Sequence, residues 1–350
     1  MGAQQFLKGM DISFVNEIEE AGGKFYINET EYDILEILKE SGVNSIRLRL
    51  WHTPTGGYHT LEKTLAMAKR IKKHGFHFLL NFHYSDYWAD PGKQTKPKAW
   101  DGLTYPELLR AVQTYTTDVI TEFKKHDVLP DMVQIGNEII SGMLWDDGRV
   151  TGEWDTEEQW EKLAELVSAG IAGLNQALDK DDEVEIMLHI DRGGDNQGSR
   201  KFYDYMEKHR VVYDIIGLSY YPWWHGTLED LTNNLNDLSR RYQQEIVLVE
   251  IAYPWTLSNH SKEEFIVHSE EQLLPKYPAT VEGQSQYLRD LIKIVKNIPN
   301  DRGKGVYYWE PSWIPFKEEW SVGHENNWAN LTLFDFDGRK LPSLDVFKES

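Results

Sequence analysis

The chain has 350 residues, a formal net charge of −20, 40% hydrophobic residues and no cysteine. The charge argues against nucleic acid, whose phosphates require Lys and Arg, and against a polyanionic glycan without a local basic groove; a neutral polymer or small neutral ligand is favoured. Without cysteine there are no disulfides, thiolate metal sites or cysteine nucleophile. No run of about 18 apolar residues reads as a membrane span. The start, Met1-Gly2-Ala3-Gln4-Gln5, carries no basic and apolar signal segment, which fits a mature or intracellular form and leaves the compartment open.

Strand-like and helix-like patterns alternate along the chain with no linker, low-complexity tract or short repeat, so residues 1–350 read as one domain. The strands fall at Leu7–Ile12, Ser45–Trp51, His77–His83, Met132–Glu138, Glu185–Ile190, Ile215–Tyr220, Ile246–Ile251 and Gly305–Glu310. Amphipathic helices are expected over Thr30–Ser41, Thr60–His74, Tyr105–His126, Thr156–Leu178, Ser199–His209, Leu228–Gln243 and Val281–Asn297. Thr60 with Lys63, and Thr156 with Gln159, sit at helix starts, and the second pair fits a capping box. Eight strands alternating with helices predict a (β/α)8 TIM barrel, whose active site lies at the carboxyl ends of the strands.

Two apolar runs close on a carboxylate, Glu138 on strand four and Glu250 on strand seven. A carboxylate there is costly unless paired or solvated at a rim. Either Glu alone could simply end its strand by pairing with an Arg. Two on separate strands, facing across a cleft, have the geometry of glycoside hydrolysis: one protonates the leaving oxygen, the other attacks the sugar or activates water. Strand alternation puts Arg47 and Arg49 on one face, and two inward cations need anions such as these glutamates. Of the 13 Trp, all but Trp160 lie at or beyond proposed strand ends, where flat rings can stack on sugars. Trp88, Trp223, Trp224 and Trp313 are the candidate platforms, with ordinary loop packing as the alternative. Asp86, Asp90 and Lys93, after strand three, could contact sugar hydroxyls or belong to a solvated turn. None of the 12 His forms a His-x-x-x-His pair, so a metal at His83 is disfavoured and none is expected. Asp191-Arg192-Gly193-Gly194-Asp195 lacks the Gly-Lys-Ser/Thr of a phosphate loop, and no Gly-x-Ser-x-Gly elbow occurs.

The order of motifs resembles one family closely. Gly9-Met10-Asp11-Ile12-Ser13 is followed by Arg47-Leu48-Arg49-Leu50-Trp51. Then come Asn81-Phe82-His83-Tyr84-Ser85-Asp86-Tyr87-Trp88-Ala89-Asp90-Pro91-Gly92, Gln134-Ile135-Gly136-Asn137-Glu138 and Val249-Glu250. Together they resemble the family 53 glycoside hydrolases, the endo-β-1,4-galactanases acting on arabinogalactan I, from about Gly9 to Phe334-Asp335-Phe336-Asp337-Gly338. The resemblance implies a retaining mechanism with Glu138 as general acid/base and Glu250 as nucleophile. It further implies that Asn137 bonds the sugar 2-hydroxyl and that Arg49, with Arg47, holds Glu250 ionised. Tyr220 or Tyr221 would bond the nucleophile, and His83 and Trp309 would line the sugar site. A neutral β-1,4-galactan is then the expected partner of a monomer, with no nucleic acid or membrane. The family is secreted or at the cell surface, although no signal is seen here. Some bacterial members carry a calcium loop after strand seven; Thr256–Glu264 lacks its Asp-x-Asp-Gly spacing, so no cofactor is expected. Another retaining glycanase of the clan, acting on mannan, xylan or glucan, and a silent glycan-binding barrel remain the alternatives.

Overall fold

The structure is a computed structural model and describes residues 5–260, 262–316, 320–323 and 325–349. Residues 1–4 of the start and Ser261 of the loop considered for calcium lie outside the described residues. Eight parallel strands close on themselves: β1 (Leu7–Asp11), β2 (Ser45–Leu50), β3 (His77–Phe82), β4 (Met132–Ile135), β5 (Glu185–Ile190), β6 (Ile215–Tyr220), β7 (Glu245–Ile251) and β8 (Gly303–Trp309). Each pairs with its neighbours in sequence, and β8 returns to β1. This is the (β/α)8 barrel expected from the alternation. Around it lie α1 (Ile34–Glu40), α2 (Leu61–Lys73), α3 (Tyr105–Lys125), α4 (Glu157–Ala177), α5 (Asn196–Lys208), α6 (Leu228–Arg241) and α7 (Val281–Lys296).

Helix starts follow from capping side chains. Thr60 Oγ1 accepts from Lys63 N at 3.2 Å, and Asp195 from Gly198 N at 2.9 Å, which starts α5 three residues before the expected Ser199. Thr156 caps α4, but Gln159 does not reach back to it; its amide bonds the carbonyls of Asp146, Asp147 and Arg149 instead. Complete capping boxes occur at Thr104–Glu107 and Thr227–Asp230. The segment Thr30–Ser41 is not one helix. Thr30–Tyr32 pairs back on Phe25–Ile27 in a hairpin, and α1 begins only after Asp33 caps it through Leu35 N.

The inside of the barrel is filled by strand alternation. Leu7, Leu79, Met132, Met187, Ile215, Val247, Val249 and Tyr307 form one buried apolar cluster. A Cβ on Gly9 would meet the Tyr307 ring at 2.2 Å, so only glycine leaves room for that ring. At the amino-terminal face Lys304 is 4% exposed and bridges Glu185 and Glu245, at 2.6 and 2.7 Å. At the carboxyl face the register between β6 and β7 slips by one residue. Leu218 faces Leu248, but Ser219 faces Glu250, so Val249 is an inserted residue of a bulge.

Lys304→Ala leaves two partly buried carboxylates without their cation at the strand starts. It is expected to cost about 2–3 kcal/mol of unfolding free energy, read by denaturant titration at pH 7.

Candidate active site

β4 stops at Ile135, three residues earlier than the sequence pattern predicts, because Gly136 and Glu138 have φ of 79° and 49°. The positive φ at Glu138 is unusual for a side chain with a Cβ and turns its carboxyl over the barrel mouth. Gln94 pins this turn by donating to Asn137 O at 2.8 Å. Glu138 faces Glu250 there, with carboxylate oxygens of the two within 4.8 Å.

Arg47 is fully buried beneath the pair. Its Nη1 donates to Glu250 Oε1 at 2.8 Å and to Asp11 Oδ2 at 3.1 Å. Its Nε and Nη2 donate to Gln134 Oε1 at 3.2 and 3.1 Å, and Nη2 also to Asn137 Oδ1 at 3.0 Å. Tyr221 OH donates to Glu250 Oε2 at 2.9 Å. Arg49 does not touch Glu250. It pairs with Glu310 at 2.7 Å, and its guanidinium lies 4.3 Å from the Phe14 ring centre and 4.4 Å from that of Trp88. The sharing of Glu250 between two arginines is thus corrected: Arg47 does it alone, and Arg49 forms cleft wall. Burial pushes the Glu250 carboxyl up, against the Arg47 ion pair, rather than leaving it depressed. Burial pushes Glu138 well above the ordinary 4.5, and Glu250 and Asp191 push it further. The proton therefore resides on Glu138, which has no guanidinium beside it.

A cleft of about 530 Å³ opens above the pair. His83, Asn137, Trp88, Trp309 and Trp313 line it, as do Trp224, Trp328, Asp191 and Arg192. His83 Nδ1 accepts from Trp51 Nε1 and Ala89 N, at 3.1 and 3.2 Å, which leaves a protonated Nε2 for the cleft. Asn137 gives one amide hydrogen to Ala89 O at 2.8 Å and has a second to offer.

Three expected binding residues stand elsewhere. Asp86 accepts from Thr53 N and Lys98 N, each at 2.8 Å, and clamps two loops together. Tyr220 points outward from its strand and donates to Gly226 O at 2.9 Å; alternation leaves Glu250 to Tyr221. Trp223 stacks on Tyr221 behind the cleft wall, while its neighbour Trp224, 57% exposed, faces the cleft. Of the other tryptophans, Trp51 is buried and holds His83. The sequence assigns no role to Gln134, His189 or Ser219, although Gln134 lies in one of the family-like motifs and His189 at a strand end; their bonds connect Arg47 to Glu138. Their signal was a polar residue in phase with the inward face of an otherwise apolar strand.

Glu138, His189 and Glu250 come close enough to suggest a metal cluster. Both His189 nitrogens are engaged, however, Nδ1 with Gln134 Nε2 and Glu138 N, Nε2 with Ser219 Oγ. The loop after β7 is fastened by Asn330, whose amide donates to Thr256 O at 2.9 Å and Val267 O at 2.8 Å.

A parallel barrel with two opposed glutamates in an aromatic cleft at its carboxyl face is the framework of a glycoside hydrolase. The chain belongs to glycosyl hydrolase family 53, whose profile matches residues 7–347. An uncharacterized protein of Niallia circulans is 59% identical over 99% of this chain and 94% of its own length. The arabinogalactan endo-β-1,4-galactanase of Cellvibrio japonicus is 34% identical over 98% of this chain and 90% of its own. The family 53 catalytic domain of Ignisphaera aggregans superposes with a TM-score of 0.91 at 39% identity, covering 98% of this chain and 95% of that one.

A carboxyl whose pKa rises on folding favours the folded state only while it is protonated. Its contribution is fully present below the unfolded value near 4.5 and is lost as pH rises through the folded value. Glu138→Gln removes that loss and keeps an acceptor for Ser219. The variant should gain stability over the parent between pH 4 and pH 7.5, as read by unfolding in urea at both pH values.

Proposed function

We propose that this chain is an endo-β-1,4-galactanase that cleaves β-1,4-galactan by retaining double displacement. The observation that carries the reading is the short gap between Glu138 and Glu250, with oxygens within 4.8 Å. A nearest-oxygen gap this short favours the ~5–5.5 Å carboxyl separation of retaining enzymes over the ~6.5–9.5 Å that leaves room for water in inverting ones. The galactan substrate is supported by family membership and by relatives such as the Cellvibrio enzyme.

In the first step Glu250 attacks the anomeric carbon, the bond to the leaving oxygen breaks, and that oxygen takes the proton of Glu138. In the second, water attacks the same carbon, gives its proton to Glu138, and releases Glu250 as a carboxylate. Arg47 and Tyr221 hold Glu250 in line and stabilise its charge. The free amide hydrogen of Asn137 reaches the 2-hydroxyl, and His83 Nε2–H donates to the same sugar. Trp88, Trp309 and Trp313 form the wall against which its ring packs, and Trp224 extends the cleft as a further platform.

Glu138→Ala should lose galactan cleavage but keep glycosylation by an aryl galactoside with an acidic leaving group, and azide should restore turnover as the β-galactosyl azide. Glu250→Ala should lose both substrates and, with azide, yield an α product. Product analysis by NMR separates the two, and identical behaviour would overturn the assigned roles.

Linear galactan should first yield mixed oligosaccharides, followed by chromatography over time; galactose alone from the earliest points would exclude the endo reading. Trp224→Ala removes an exposed ring, so melting temperature should hold while kcat/KM on galactan falls ~5- to 10-fold, the lower range of aromatic stacking.

A further inference from the structure

We infer that Ser219 and His189 are positioning residues for the acid/base, forming a one-way hydrogen-bond relay from Arg47 to Glu138 that fixes which oxygen carries the catalytic proton. The inference rests on the proposed glycosidase reading. The relay's direction follows from donors that cannot reverse, the Arg47 guanidinium and the backbone N–H of Glu138. Arg47 can only donate, so Gln134 must turn its oxygen to Arg47 and its amide nitrogen to His189. Gln134 Nε2 reaches His189 Nδ1 at 2.9 Å, and Glu138 N reaches the same atom at 3.3 Å. Nδ1 is therefore an acceptor, and the single ring proton of a neutral imidazole sits on Nε2. Burial and the nearby Arg47 keep that ring neutral. Nε2–H donates to Ser219 Oγ at 2.8 Å, so the hydroxyl has its own hydrogen free to donate to Glu138 Oε1 at 2.6 Å.

Two consequences follow. Oε1 is occupied by a donor, so the transferable proton lies on Oε2. The relay also aims a hydroxyl at the charge that appears on Glu138 after glycosylation, the state that must accept a proton from water. Ser219 thus opposes the upward push from burial. The other groups that face Glu138 are Glu250 on β7, Asp191 after β5, Asp90 after β3 and Tyr221 after β6. None of them donates a hydrogen bond to its carboxyl in this structure. The slip in register sets Ser219 opposite Glu250 on the neighbouring strand, and its hydroxyl goes to Glu138 and His189.

The test compares the parent, Ser219→Ala and Ser219→Thr on linear β-1,4-galactan and on an aryl β-galactoside, across pH. Removing the hydroxyl should raise the basic limb of kcat/KM by about one pH unit, the worth of a hydrogen bond to a charged group. Threonine, which keeps the hydroxyl, should return the limb toward the parent. A rate loss at every pH with an unmoved limb would mean that Ser219 only packs, and would overturn the relay; so would a downward shift. If the parent cleaves neither substrate, the function reading fails by itself. The relay is then decided by 13C NMR titration of Glu138 in parent and Ser219→Ala protein, where equal midpoints refute it.

Discussion

One buried guanidinium organises the site. Arg47 has no solvent exposure, and removing such an ion from water costs several kcal/mol unless each donor finds an acceptor. Its nitrogens meet Asp11 from β1, Gln134 from β4, Asn137 from the turn after β4 and Glu250 from β7. Strands distant in sequence are thus brought into register by one planar fork. A lysine, with a single ammonium, could not reproduce those directions. The same contacts decide the charge states above. Asp11 and Glu250 lie against Arg47, and Glu310 lies against Arg49. Glu138 faces carboxylates and a hydroxyl, so it takes the proton.

The position of Glu138 at the barrel mouth is set by backbone as much as by charge. A strand continued through Glu138 would leave its side chain in the barrel's alternation. The left-handed turn at Gly136 and Glu138 lifts it to the mouth instead. A Cβ at Gly136 would also meet the Ile139 side chain at 2.7 Å. The strain is local, and Gln94 and His189 hold the turn through Asn137 O and Glu138 N.

Strand alternation and apolar runs made the barrel and both glutamates legible in the sequence, because each signal lies within a few residues. The hairpin at Phe25–Tyr32 was missed because Thr30 to Tyr32 borders a true helix and borrows its pattern. Partner choice was harder to read. Arg47 and Arg49 share a face, and only the third dimension sends one to Glu250 and the other to Glu310 between Phe14 and Trp88. Tyr220 and Tyr221 are adjacent and chemically alike, and a precise strand end is needed to know which faces inward. Asp86 sits in the long Asn81–Gly92 motif that carries the family resemblance, yet serves loop geometry rather than the cleft.

The electrostatics of the cleft bear on what it accepts. A protein of charge −20 would repel an acidic glycan unless free cations lined its groove. The cations lining this cleft each face a carboxylate: Arg49 meets Glu310, Lys93 lies 3.7 Å from Asp90, and Arg192 lies 2.6 Å from Asp191. What they offer a ligand is a set of local dipoles and hydrogen-bond directions with little net attraction for anions. Hydroxyl groups can both donate to the carboxylates and accept from the guanidinium and amide hydrogens, while indole faces take the apolar side of a sugar ring. Discrimination in such a groove comes from where hydroxyls point, since charge contributes little, and that makes the axial or equatorial setting of a hydroxyl a feature the walls can read.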